Sequence, residues 1–500
     1  MTSWNLQKAN NIALAFRVRA SVRYYLLKAN RPVLILFFPL KIIYIHPFWK
    51  PVLNIFTKGE FIPFEEILAL IPETPPEKLE SFLKDLIRKG FAEQQGIPVL
   101  AENEYPFVSV IVPVRNRPRE IEDCLSSLEN LDYPAGKIEI IVIDDASEDN
   151  TPLVIAEFPV RLIKLGERKQ ASFCRNLGAR KAKGAILAFI DSDCLAAPLW
   201  LRELTPAFRD VSVGAVGGQI DAYYDTKGLD HYEKVKSALK ISSWFKRSET
   251  KERFFYVPAC NFLVRKDLFL ELEGFRGSLY VGEDVDFCWR LQDHGNILEY
   301  IPAGKIFHKH RNRLRPFCAR RFDYGTSEPL LQQLHPDRVK RLFLPPQITL
   351  FWIIFILFLF FKSVFLFIFA LGMLTSDCVN KYRKIRSRKI PIRFLRLSSA
   401  VFRSYLAFFF HCCSFVSRYY LIPALSVLPF NSLFPVVILC MHLLAGIAEY
   451  GIKKPHINPL SFLFYFSLEQ LSYQAGVWQG CFKRLNFNAV LPGIMLKKEK

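Results

Sequence analysis

The sequence predicts an α/β protein on a doubly wound, mainly parallel sheet, with a small module before it and a hydrophobic helical region after it. Three observations carry this expectation. Short apolar runs at SVIVPV, IEIIVID and AILAFI each end in Asn/Arg or Asp. Such runs read as buried parallel strands, whose carboxyl ends face the ligand crevice of an open sheet. Residues 20–100 mix strand and helix patterns, and residues 348–373 are apolar apart from Lys362. The domain boundaries follow: 1–100 a winged-helix-like module of the peptide-recognition type, 105–340 the catalytic domain, 345–500 a membrane-associated helical region.

In the first module, SVRYYLL and PVLILFF read as strands, with KIIYIHPF continuing them. PFEEILALI and TPPEKLESFLKDLIRKG read as helices, the second with Thr74 as N-cap and Gly90 as stop. FAEQQGIPVL reads as a wing strand. The module either grips a peptide or only packs on the catalytic domain.

Composition narrows the class. The chain has 51% hydrophobic residues, 46 Phe and a net charge of +20. That combination suits a protein on a membrane with anionic lipid at its cytoplasmic face. Nucleic acid is not an expected partner, because no basic stripe with interleaved aromatics and no nucleic-acid motif occurs. The eleven cysteines form no C-x-x-C pair, which argues against structural zinc and a disulfide framework and implies a reducing compartment. The N-terminal stretch lacks the apolar core and cleavage site of a secretory signal.

The C-terminal apolar stretches are 348–373, about 405–428 and 434–448. A basic segment holding Lys381, Arg383, Lys384, Arg386, Arg388, Lys389, Arg393 and Arg396 follows the first. Positive-inside bias assigns that segment to the cytosol. One crossing at 348–373 cannot put both it and the catalytic domain there. Either the stretch is re-entrant or interfacial, or the basic segment breaks the rule.

Asp191-Ser192-Asp193 follows the strand AILAFI. Two carboxylates one residue apart can hold a hard divalent cation, Mg²⁺ or Mn²⁺, which in turn recruits a diphosphate. Asp144-Asp145 ends another strand, where Asp145 or Ser147 also suits a helix N-cap. The succession PVRN, DDASEDNT, ARKAKG with FIDSD, and GEDVDFCWRL resembles the family 2 glycosyltransferases of GT-A fold. The resemblance covers Val108 to about Pro336.

The resemblance implies the site. Pro113, Arg115 and Asn116 line the nucleobase pocket, and Asp144 or Asp145 accepts from the base. Arg175 and, more weakly, Lys169 contact phosphate or base, Asp191 and Asp193 bind the metal, and Asn261 faces the sugar. Glu283-Asp284 fills the family's E-D slot. Asp284 is the base that takes the acceptor's proton, at a helix start whose dipole favours the ionised form. His308 or His310 is a further metal or phosphate ligand, with His310 the assigned one, and Arg320 and Arg321 clamp the diphosphate. The processive Q-x-x-R-W signature is absent, which disfavours long-chain extrusion.

The N-terminal unit, ARRFDYGTSEPLLQQLHP and the tail NPLSFLFYFSLEQLSYQAGVWQGCFKR resemble the mycofactocin-system glycosyltransferases. That resemblance implies an inverting transfer of glucose from UDP-glucose to a peptide-derived redox cofactor, at the cytosolic face of the cytoplasmic membrane. A lipid or cell-envelope glycan acceptor is the alternative, and a non-catalytic membrane scaffold the third reading.

Overall fold

The computed structural model describes residues 14–27, 31–37, 39–56, 59–95, 100–248, 254–430 and 432–496. The chain forms two compact units. One joins Met1–Ile97, Lys340–Phe415 and Pro492–Lys500, and the other joins Pro98–Val339 and Val416–Leu491. The three consecutive domains read from the sequence are therefore redrawn, since the C-terminal region is shared between both units.

The second unit is built on an eight-stranded, GT-A-like mixed sheet. Its order is Lys246–Arg247, Ile297–Tyr300, Val213–Gly217, Phe262–Arg265, Ile186–Phe189, Val108–Val114, Ile138–Asp144, Arg161–Lys164. Val108–Val114 is buried at every position, as a central strand covered on both faces must be. Its neighbours Ile138–Asp144 and Ile186–Phe189 run parallel to it, with Val114 opposite Asp144 and Ile111 opposite Phe189. That register brings the polar residues after all three strands to one edge. Phe262–Arg265 runs antiparallel to both of its neighbours. Phe189, Phe262, Phe269, Phe275 and Phe287 interlock beneath this edge, fixing the floor on which the polar ends stand.

A small second sheet pairs Cys194–Ala196 with Ile306–His308 and then Ile220–Ala222. Cys194 lies opposite His308, so the residue before Cys194 is brought to the end of the histidine strand.

The tail motif has a structural role. Helix Pro459–Arg484 packs along helix Leu314–Leu334, which contains the block ARRFDYGTSEP. A Cβ added at Gly476 would lie 2.0 Å from the Phe322 carbonyl oxygen, and one at Gly325 2.1 Å from that of Tyr473. The two backbones touch, which only residues without side chains allow. Beside this seam Arg321 pairs with Glu233 and Glu469, and Glu328 accepts from the Tyr419 and Tyr473 hydroxyls.

In the first unit, strands Val22–Leu27, Arg31–Phe37 and Leu40–Tyr44 form an antiparallel sheet. A second sheet joins Ala15–Val18 to Ile62–Pro63 and Ala92–Gln95, accompanied by helices Phe64–Ala69 and Pro76–Arg88. The cap of the latter falls on Pro75 rather than Thr74, while Gly90 ends it at φ 84°. Val33 and Ile35 share one core with Phe351, Ile354, Ala370, Ile392 and Tyr405. The amino-terminal segment is thus not a free-standing module of 1–100.

Three helices, Val364–Ser387, Phe394–Tyr419 and Leu433–Lys453, are long and apolar enough to cross a membrane. The expected single stretch 348–373 is not one helix. Helix Pro346–Phe361 stops at Lys362, whose backbone is left-handed at φ 50°, and a new helix starts at Val364. All eleven cysteines are unpaired thiols.

The helix seam makes a stability prediction. Gly476→Val should destabilise the fold by about 2 kcal/mol or more, the cost of overpacking a tight contact. Gly451→Ala, where an added Cβ meets nothing within 4 Å, should be neutral or stabilising by up to about 1 kcal/mol. Thermal denaturation of the purified full-length chain checks the pair.

Candidate active site

The strand ends are tied to one another before they can meet a ligand. Asn116 sits at φ 50°; its N–H donates to Ser147 Oγ (3.0 Å) and its Oδ1 accepts from the Glu148 N–H (2.9 Å). Arg115 donates to the Ala146 carbonyl (3.4 Å) and pairs with Glu148 (2.9 Å). Pro113 is buried within its strand. Asp144 accepts from the N–H and hydroxyl of Ser147, closing its own turn. Asp145 accepts from the N–H groups of Lys169 (2.5 Å) and Gln170 (3.0 Å). Those are the first free amides of helix Gln170–Lys181, so Asp145 caps a helix 25 residues downstream. That helix carries Arg175.

Arg175 is the hub of the site. Its guanidinium is buried and donates to Asp191 Oδ1 (2.6 Å) and Glu283 Oε1 (2.9 Å). One cation thereby joins the acidic pair after strand Ile186–Phe189 to the start of helix Glu283–Asp293. Burial would lower the Arg175 pKa, but Asp191 and Glu283 raise it. Gly282 precedes that helix at φ 85°, a conformation costly for any other residue. Asp284 accepts from the Ala259 N–H (3.2 Å) and the Val285 N–H (2.8 Å). Burial, together with the Glu283 carboxylate, pushes its pKa up to about 7.

Asp193 has a separate set of partners. Arg117 Nη1 is 2.6 Å away, Arg311 Nη1 3.4 Å and His308 Nε2 3.7 Å. Burial works to raise the Asp193 pKa, but the cationic charge of His308, Arg117 and Arg311 outweighs it and holds the carboxyl well below the carboxylate range. Burial also lowers the pKa of His308, so the arginines are the standing counter-charges near neutral pH. A cavity of about 170 Å³ opens beside Asp193, lined in part by Arg117, Lys309, Arg311 and Arg313. It is suited to an anion.

The donor set fits a hard divalent cation. Single ligand atoms of Asp193, Cys194 and His308 lie within 4.8 Å of one another. The Cys194 sulfur is a soft donor that a hard cation disfavours, which leaves it outside the set. A carboxylate oxygen and a neutral imidazole nitrogen remain, donors compatible with Mn²⁺ or Mg²⁺ completed by phosphate oxygens.

Several expected residues have other partners. His310 lines the cavity beside Asp193 but is held by Asp230 (3.1 Å), and His308 is the histidine that approaches Asp193. The His310 N–H donates to the His308 carbonyl (2.9 Å), a tight turn that ends the strand alternation on which a shared face depended. Arg321 is committed to Glu233 and Glu469 instead of a diphosphate, and Arg320 lies over the Tyr324 ring (5.7 Å). Asn261 is buried, accepting from the Trp200 indole and donating to the Gln219 and Gly304 carbonyls. The sequence reasoning missed Arg117 and Arg311. Each stands in an R-N-R triplet, Arg117 as its second arginine and Arg311 as its first, a signal too short to use alone.

These placements separate two kinds of arginine. Arg321→Met should lower the thermal midpoint by several degrees, because Glu233 and Glu469 lose their buried partner, and leave nucleotide affinity unchanged. Arg117→Met should weaken nucleotide binding at least tenfold. Calorimetric titration alongside melting distinguishes them.

Residues 109–272 match the family model for Glycosyl transferase family 2. The pre-mycofactocin glycosyltransferase of Mycobacterium tuberculosis (strain CDC 1551 / Oshkosh) is 26% identical over 399 residues, which cover 77% of this chain and 82% of the relative. Glycosyltransferase AglE of Haloferax volcanii is 31% identical over 202 residues, 39% of this chain and 64% of AglE. Among solved structures, the mannosyltransferase PcManGT from Pyrobaculum calidifontis, in complex with GDP-Man and Mn²⁺, aligns over 78% of this chain and 90% of its own, with a TM-score of 0.45 and 18% identity. Residues 109–272, which hold the acidic strand ends, thus form a family 2 glycosyltransferase domain.

Proposed function

We propose that the protein is an inverting, metal-dependent glycosyltransferase that moves glucose from UDP-glucose onto a peptide-derived redox cofactor precursor, at the cytosolic face of the cytoplasmic membrane. The observation that carries the chemistry is the double bridge of Arg175 to Asp191 and Glu283. It gathers the donor-side carboxylates and the candidate base into one site. The acceptor rests on the resemblance to a pre-mycofactocin glycosyltransferase, which extends well beyond the family domain to 77% of the chain. The amino-terminal sheets and helices are the proposed peptide-recognition part.

In this reading the donor diphosphate occupies the basic cavity, against Arg117, Lys309 and Arg311. Asp193, His308 and Asp191 would hold Mg²⁺ or Mn²⁺, whose chemistry is to neutralise charge growing on the departing nucleoside diphosphate. Asp284 takes the proton of the acceptor hydroxyl as its oxygen bonds to the anomeric carbon. The bond from that carbon to the diphosphate oxygen breaks, and its electron pair leaves with UDP. Arg175 holds Glu283 in place beside Asp284, where burial and the neighbouring Glu283 raise the pKa of Asp284. A carboxylate of higher basicity is a stronger proton acceptor near neutral pH.

A lipid or cell-envelope glycan acceptor is the second reading, favoured by the three helices long and apolar enough to span a bilayer. Radiolabelled UDP-glucose offered with peptide-derived and lipid acceptors separates the two.

Asp284 gives three predictions. Asp284→Asn should keep UDP affinity and lower the transfer rate by about 10²-fold or more. Since the raised pKa favours the protonated carboxyl in the fold, ionising it costs stability as pH rises from the unfolded value toward about 7. Asp284→Asn should therefore raise the thermal midpoint at pH 8 and leave it unchanged at pH 4. In the native enzyme, activity should fall as pH drops below about 7 and the base is protonated. The metal assignment predicts that Asp193→Ala abolishes donor turnover and that EDTA does so reversibly; full activity in chelator would contradict it.

A further inference from the structure

We infer that residues 346–387 enter the bilayer as a re-entrant helical hairpin and return to the side they came from, so that this segment does not cross the membrane. The inference rests on the membrane reading above and extends it to the path of the chain.

The turn at Lys362 is the first observation. Helix Pro346–Phe361 ends there in a left-handed residue, and helix Val364–Ser387 doubles back along it. Phe358 meets Phe367, with ring centroids 5.1 Å apart, and the Gln347 side-chain amide donates to the Met373 carbonyl at 3.5 Å. Near the start of the first helix the chain is therefore level with Met373 of the second. The first arm of 16 residues is about 24 Å long. The apolar part of the second, Val364–Leu374, is about 16 Å long before Thr375, Ser376 and Asp377. Each apolar arm falls short of the roughly 30 Å hydrocarbon core; the whole second helix is long enough to cross only if its polar end from Thr375 enters the bilayer as well. Asp377 is buried against Lys381 and the Tyr405 hydroxyl, which keeps that end polar.

The tip of the hairpin is bare. Phe361, Val364 and Phe365 are 73%, 68% and 74% exposed. At the opposite end Arg383, Lys384, Arg386, Arg388, Lys389, Arg393 and Arg396 are exposed. Apolar tip and basic base match hydrocarbon and anionic headgroups of one leaflet.

The second observation is independent. Helices Leu314–Leu334 and Pro459–Arg484 touch through Gly325 and Gly476, so the chain lies on the same side of any membrane before residue 345 and after residue 458. The number of crossings between them is even, and since the 16-residue helix Pro346–Phe361 is too short to add a fourth, the three long apolar helices cannot all cross. A hairpin at 346–387 removes the odd one. It also puts the basic segment on the catalytic side, as positive-inside bias requires.

The test uses the full-length chain with a protease site inserted between Arg388 and Lys389, expressed in a bacterium. Cleavage in inverted cytoplasmic-membrane vesicles, on the face that also exposes a site inserted at the Gly136 turn, is the expected result. Cleavage only from the opposite face would overturn the hairpin. In parallel, Phe361→Asp/Phe365→Asp should lower binding to phosphatidylglycerol-containing vesicles at least tenfold. Val211→Asp, at an 86% exposed position of the catalytic unit, should not. Unchanged binding of the double variant would also overturn it. If the unaltered chain stays in the supernatant without detergent, the membrane reading itself fails, an outcome distinct from cleavage on the wrong face.

Discussion

The site depends on one buried guanidinium. Arg175 stands between Asp191 and Glu283, two carboxylates whose charges would otherwise oppose each other across a dry gap. Removing one partner of such a group leaves uncompensated buried charge, at a cost of about 3–5 kcal/mol. The rest of the catalytic unit serves to deliver this one contact. Asp145 caps the helix that carries Arg175, the phenylalanine floor supports it, and Gly282 turns the chain so that Glu283 begins a helix facing it.

The same arrangement divides the labour between carboxylates. Asp193, ringed by Arg117, Arg311 and His308, is held ionised, as a group that meets a cation needs to be. Asp284 is pushed toward neutrality by burial and the neighbouring Glu283, against the pull of two backbone amides that favour its ionised form. Environments that drive paired acids apart in pKa are how one site supplies both a permanent charge and a proton acceptor. The family 2 domain sets glycosyl transfer as the reaction class, and this separation gives each carboxylate a physical reason for the part proposed for it.

Much of this was legible in the sequence. The apolar runs that end in Asn116, Asp144 and Asp191 are strands in register, and the E-D pair does open a helix. What escaped depended on long-range contacts. No local pattern reveals that Asp145 caps a helix 25 residues on, or that a tight turn after His308 sends His310 to Asp230. Arg321 looked like a phosphate clamp because its partners, Glu233 and Glu469, lie on distant helices. Whether the apolar run 348–373 crosses or re-enters stayed open because hydropathy carries no direction, and one left-handed residue at Lys362 reverses the chain. The tail motif made sense only once Gly476 met the backbone of Phe322.

The most direct test of the central claim is the anomeric configuration of the first product. Full-length enzyme with UDP-glucose, whose donor linkage is α, and a peptide-derived acceptor would be followed by NMR of the newly formed glycosidic bond. A single base at Asp284, with direct attack by the acceptor oxygen, gives a β-linked product. An α-linked product would contradict the account, because retention requires a different pathway from the one assigned to Asp284 and Arg175.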